Sequence, residues 1–145
     1  MIVLLQCDPN GHPIGSVGTM SDELISACAQ SADLYRRVGY QSPWVSYVAS
    51  DNGCGVGGGA FVGAPRDGMV EIAYFTLEEF QGRGYATQTA RCLVEIARKT
   101  LPAIVIRAFT LPQDNPSTKV LGGLGFRNVG FAHDKDAGDV WEWRA

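Results

Sequence analysis

The chain has 145 residues, of which 46% are hydrophobic and 19% charged, so it has enough apolar material for one packed core and too little length for two. Twelve basic residues against 15 acidic ones give a net charge of -3, which argues against a nucleic-acid partner. No apolar stretch approaches the roughly 20 residues of a membrane span, and the whole of 1–145 reads as a single domain.

MIVLLQC at the start reads as a short strand rather than a signal segment, because it lacks a basic flank and has Gln before the Cys. Cys7, Cys28, Cys54 and Cys92 are scattered with no close pair, so neither a metal knuckle nor a CxxC redox site is indicated. Reduced thiols and a cytoplasmic location fit that usage. Ser21 is a good N-cap, Asp22 and Glu23 suit a helix start, and Leu24, Ile25, Cys28, Ala32 and Tyr35 recur at helical spacing until Gly39. One amphipathic helix over 21–38 follows.

PWVSYVAS, GVGGGAFV and MVEIAYFT, separated by the turn signals DNG and APRDG, read as an antiparallel meander over residues 43–76. Gly53, Gly55, Gly57, Gly58 and Gly59 make its middle strand glycine-dense, the mark of a bulge or of a close backbone approach. A helix with Ala86, Ala90, Leu93, Val94 and Ala97 inward comes next, then a strand at AIVIRAF and a short helix opened by Pro116. FRNVGFAH, the turn DKDAG and DVWEWR form a closing hairpin. The expected class is α/β (α+β): a mixed, mostly antiparallel sheet with one parallel crossover and helices on both faces.

The strand-to-helix step FQGRGYAT holds the clearest chemistry. Its N–H groups converge at a helix N-terminus, which favours an anion, and Gly82 and Gly84 let the backbone approach that anion closely. Arg83 adds charge and Thr87 a hydroxyl. There is no Gly-Lys-Ser/Thr and no dinucleotide glycine spacing. A phosphate cradle and a plain glycine turn at the start of a helix both remain open on the loop alone.

Gln81-Gly82-Arg83-Gly84-Tyr85-Ala86 resembles the Q/R-x-x-G-x-G/A signature of the GNAT superfamily of acyl-CoA-dependent N-acyltransferases. LPQDNPSTKVLGGLGFRNVGF resembles that family's second segment, and EIAYFT, NPSTKVL with GLGF, and the closing WEW are most similar to the branch of ribosomal-protein N-terminal acetyltransferases. The resemblance implies acetyl-CoA as co-substrate, no metal, and direct attack of an amine on the thioester. It implies that Gln81, Gly82, Arg83, Gly84, Tyr85, Ala86 and Thr87 hold the pyrophosphate, and that Phe75, Thr76 and Leu77 offer backbone hydrogen bonds to the pantetheine arm. Asn115 stands one place beyond the position where the family has an Asn touching that arm.

Two residues are candidates for moving protons. Glu71 alternates onto the strand face of Met69, Ala73 and Phe75, where apolar neighbours would raise its pKa and suit it as a base. A strand Glu reaching solvent or a salt bridge is the alternative. The family's Tyr, proton donor to the departing thiolate, is replaced by Leu121, and Ser117 is a substitute by resemblance or else a helix cap. His133 and the Asp134, Asp136 and Asp139 turn read as ordinary surface, Trp141 and Trp143 as core, and Glu78 and Glu79 as solvated.

The acceptor is expected to be a cationic or neutral amine, a peptide N-terminus or a small molecule, with no nucleic-acid or membrane partner; a homodimer is compatible with the resemblance. The lower pKa of an α-amine favours it over lysine. The rival readings are a CoA-binding regulatory module that no longer catalyses and a nucleotide-binding regulatory domain.

Overall fold

The computed structural model describes all residues from Met1 to Ala145. Its elements run β1 (Val3–Gln6), α1 (Asp22–Val38), β2 (Ser46–Asp51), β3 (Cys54–Phe61), β4 (Met69–Thr76), a 3-10 turn (Glu78–Phe80), α2 (Tyr85–Thr100), β5 (Val105–Thr110), α3 (Pro116–Gly123), β6 (Arg127–Asp134) and β7 (Gly138–Arg144). The seven strands form one sheet in the order β1-β2-β3-β4-β5-β7-β6. Every pairing is antiparallel except β4 with β5. The mixed sheet with one parallel pair is the expected class.

Local chemistry explains the boundaries. The Ser21 side chain accepts from Leu24 N at 3.2 Å, Asp22 and Glu23 sit at the positive end of α1, and Arg36 and Arg37 sit at the negative end. Asn52 and Gly53 both take positive φ, 49° and 71°, as a tight two-residue hairpin requires. β2 begins three residues later than the sequence indicates. Pro43 has no N–H to donate, and Trp44 N and Val45 N bond Gln41 O and Pro43 O in a turn instead of joining a ladder.

The two helix layers lie on opposite faces. Leu24 and Cys28 of α1 pack with Val48, while Leu93 and Ala97 of α2 pack with Val70, Ile72, Ile106 and Phe61 in the main core, closed from one end by Leu121 and Phe126. The glycine-dense strand serves both purposes its composition signals. The β2–β3 register slips between Ala49 and Ser50, and Gly59 lies directly beneath α2.

A Cβ on Gly59 would stand 2.8 Å from Thr89 Cγ2 and 2.9 Å from Leu93 Cδ1, too close for either to remain in place. Gly59→Val is expected to lower stability by about 1–3 kcal/mol through overpacking. Urea unfolding would show this as a lower midpoint at unchanged slope; an unchanged midpoint would contradict the packing.

Candidate functional site

The parallel pair opens where the site forms. β4 and β5 pair only at Met69 with Val105, Val70 with Ile106 and Glu71 with Arg107. β5 then turns to β7, with Thr110 opposite Trp141, while β4 continues along β3 to Thr76. From Ile72 onward β4 has no partner on its β5 side, so that edge is available to an extended, amide-bearing ligand.

Above this notch sits the loop into α2. Gly82 and Gly84 have φ of 79° and 83°, the left-handed region in which a side chain is strained, so both glycines are required by the turn itself. Gln88 N makes the first helical bond, to Gly84 O at 3.1 Å. The N–H groups of Gly82, Arg83, Gly84, Tyr85, Ala86 and Thr87 have no acceptor within the protein. A run of exposed donors at the positive end of a 16-residue helix favours an anion. Its position is held from both sides: Tyr85 Oη donates to Asp51 Oδ2 at 2.7 Å, and Gln81 Nε2 donates to Thr76 O at 3.1 Å.

Loop, notch and α3 enclose a cleft of about 640 Å³, within the usual range for a small-molecule site. Of the residues read from sequence, Phe75, Thr76, Gln81, Gly82, Gly84, Tyr85, Ala86, Thr87, Asn115 and Ser117 line it. Arg83 does not; its guanidinium lies over the Phe80 ring, 5.6 Å from the centroid, beside the cleft. Leu77 is also outside. Its side chain is buried, its N–H bonds Val56 O at 2.9 Å and its carbonyl accepts from Phe80 N at 2.8 Å, so Leu77 anchors the turn and keeps only the second lone pair of its carbonyl for a ligand.

The cap of α3 also differs from expectation. Asn115, not Ser117, is the N-cap: its Oδ1 accepts from Thr118 N at 3.0 Å, and Thr118 Oγ1 accepts from Asn115 N at 3.0 Å. This leaves the Ser117 hydroxyl free at the cleft and commits the Asn115 oxygen to the helix. Leu121 is fully buried in the core, so the position where the family has its Tyr points away from the cleft.

A residue that the sequence reading passed over takes that region. Tyr74 lines the cleft, and its hydroxyl donates across the notch to Ser117 O at 3.4 Å. Burial pushes its pKa up to about 12, so it remains a protonated donor at neutral pH.

Glu71 stands on the expected face but outside the cleft. It lies in the last paired step of β4, opposite Arg107 in a separate groove, and the two form no ion pair. Burial raises its pKa, against a lowering by Arg107; Asp134 and Glu142 raise it further. Strand geometry puts Ala73 one same-face step away, at about 7 Å. Elsewhere, Trp143 packs on the core and donates to Thr110 Oγ1 at 3.0 Å, while Asp134 Oδ2 accepts from Asp136 N and Ala137 N to close an exposed turn. No group of three His, Cys, Asp or Glu side chains is placed to hold a metal, the four cysteines are free, and no helix is long and apolar enough to cross a membrane.

A sheet opened at its one parallel pair, with a helix start of unpartnered N–H groups set over the opening, is the architecture of acyl-CoA-dependent N-acyltransferases. The chain belongs to the GNAT acetyltransferases: the family model described as an acetyltransferase (GNAT) domain matches residues 5–127. No match was found among curated proteins. Among solved structures, an IAA acetyltransferase from Bacillus cereus superposes with a TM-score of 0.70 at 17% identity, covering 99% of this chain and 98% of that one. The ribosomal L7/L12 α-N-protein acetyltransferase RimL, in complex with coenzyme A, gives 0.66 at 20% identity, over 88% of this chain and 73% of its own. A GNAT-family acetyltransferase from Bacillus anthracis gives 0.60 at 20% identity over 69% of this chain, which spans 64% of that protein's length. These likenesses are of fold.

Proposed function

We propose that the protein transfers the acetyl group of acetyl-CoA to a primary amine, by direct attack on the thioester. The observation that carries this reading is the run of unpartnered N–H groups from Gly82 to Thr87 directly above the unpaired edge of β4. A pyrophosphate suits the first and an extended pantetheine amide chain the second. The CoA-bound neighbour named above supports the same reading by its fold.

The thioester supplies a thiolate, which leaves more readily than an amine, so the side chains have modest work. Phe75 and Thr76, at the end of β4, position the acyl end, and backbone N–H groups of that free edge polarise its carbonyl. Glu71 receives the ammonium proton through water, since no cleft residue carries a carboxylate and Glu71 shares the strand face of Phe75, which lines the cleft two same-face steps away. The new C–N bond forms as the C–S bond breaks. Ser117 Oγ donates a hydrogen bond to the departing sulfur, and Tyr74 donates a second once its hydroxyl turns from Ser117 O; Tyr74 keeps its proton, because a phenol held at about 12 is a weaker acid than a thiol, and solvent supplies the final proton.

The acceptor is a peptide α-amine or a small amino compound rather than a lysine side chain, and the reaction takes place in the cytoplasm. The test is a competition between a lysine-free peptide with a free N-terminus and the same peptide N-blocked and carrying one lysine. Mass spectrometry should show faster acetylation of the free N-terminus, and faster modification of the blocked peptide would overturn the assignment. A second reading, a CoA-binding module without catalysis, is favoured by one observation: Leu121 fills the Tyr position and faces the core. CoA binding without thiol release for any amine would support that module instead.

A further inference from the structure

A second cavity, of about 400 Å³, lies on the opposite face of the sheet between α1 and the β2–β4 surface. Tyr74 and Phe75 line both this cavity and the cofactor cleft, so the two spaces meet at the end of β4, where the acyl group is placed. The floor is cleared by Gly58 and Ala60, and the walls include Leu24, Leu34 and Val48. No Asp or Glu lines it. Its one charged residue, Arg37, is exposed at the rim and its guanidinium lies 3.7 Å from an Asp33 carboxylate oxygen.

We infer that this cavity is the acceptor pocket and that it takes a primary amine carried on an uncharged, apolar body. The inference rests on the function proposed above and deepens it. Apolar walls favour an apolar body, because each CH₂ removed from water is stabilising. A second ammonium group would be desolvated there with no carboxylate to receive it, and Arg37 would repel it. Polyamines and multiply charged amino compounds are thereby excluded from good binding. The volume corresponds to about 13 waters at ~30 Å³ each, enough for one aromatic or branched aliphatic group beside the amine. Two sources supply that chemistry, a small arylalkylamine and a peptide whose first side chain is apolar.

The experiment compares phenethylamine, 1,4-diaminobutane, and tetrapeptides beginning with Phe or with Asp, all at saturating acetyl-CoA. Phenethylamine or the Phe peptide should exceed 1,4-diaminobutane and the Asp peptide in kcat/KM by at least about tenfold, and which of the two is better identifies the source. Binding is read separately by calorimetry of phenethylamine into protein saturated with CoA. Two variants test the pocket itself. Ala27→Trp, on the half-buried face of α1 that lines the cavity, should raise KM for phenethylamine at least about tenfold and abolish its heat of binding, with CoA affinity unchanged. Leu34→Glu, which adds the missing carboxylate, should shift preference towards 1,4-diaminobutane.

Preference of the unmodified protein for 1,4-diaminobutane, or unaltered phenethylamine binding in folded forms of both variants, would overturn the inference while leaving acetyl transfer intact. Failure of CoA itself to bind would instead overturn the proposed function on which the inference rests. The two failures are thus distinguishable.

Discussion

Gly84→Val is expected to lower CoA affinity about a hundredfold or more while the chain still folds. Gly84 is the N-cap of α2 at φ 83° and ψ 6°, a left-handed conformation that costs an ordinary L-residue roughly 1–2 kcal/mol and a β-branched one more. Space is not the obstacle in the free protein, because the nearest atom to an added Cβ is Gln88 Nε2 at 4.0 Å. The valine therefore acts by swinging the loop out of the left-handed turn, which redirects the N–H groups of Gly82 to Thr87. Losing two charge-assisted hydrogen bonds at about 1.5–3 kcal/mol each accounts for the size of the effect. Calorimetry gives the affinity and circular dichroism the fold; a folded variant with unchanged affinity contradicts the anion site.

Glu71→Gln is expected to lower kcat at neutral pH by about a hundredfold and to leave CoA affinity nearly intact, because Glu71 lies outside the cleft. Burial holds its pKa above the ordinary 4.5, so the wild-type rate should fall on acidification at a pH higher than for a solvated carboxylate. The amide keeps the shape and removes that acidic limb. The same shift has a sign for stability. A carboxyl whose pKa is raised by folding favours the protonated form in the folded chain, so its ionised form costs stability once pH exceeds 4.5, fully so above the raised value. The glutamine variant should therefore unfold at a higher temperature than wild type at pH 7, with the difference vanishing well below 4.5. A variant that keeps both the wild-type rate and the acidic limb would show that Glu71 is structural.

Local signals carried much of this structure. MVEIAYFT folds as the single strand Met69–Thr76, and the QGRGYA run meets its helix where sequence places it, because glycine conformations and helix starts are decided by near neighbours. Register between distant strands is not local. Alternation puts Glu71 on the face of Ala73 and Phe75, yet only the β4–β5 pairing shows that the sheet is still closed at Glu71 and opens one residue later. The same pairing explains Tyr74. Its alternation marks it as core-facing like Val70 and Ile72, and it reaches the cleft because β4 outruns β5. Cys7 and Cys28, far apart in sequence, line one cavity because α1 folds back onto the sheet and brings Cys28 against Cys7.

The α3 cap was legible and passed over. Asn115 followed by Pro116 and, three places on, Thr118 is a capping-box pattern with Pro at the first helical position, and it frees Ser117 from the cap. Leu77 shows the opposite case. Its place after β4 matches the family pattern, but its N–H is already bonded to Val56 O of β3 and its carbonyl accepts from Phe80 N of the turn that leads to the loop.

The most direct test of the whole account is a crystal structure with CoA. Pyrophosphate oxygens should lie within hydrogen-bond distance, about 2.7–3.2 Å, of N–H groups between Gly82 and Thr87. The pantetheine arm should run along the free edge of β4, with the sulfur beside Tyr74 and Ser117. Pyrophosphate bound elsewhere, with the Gly82 to Thr87 donors facing solvent, would contradict it.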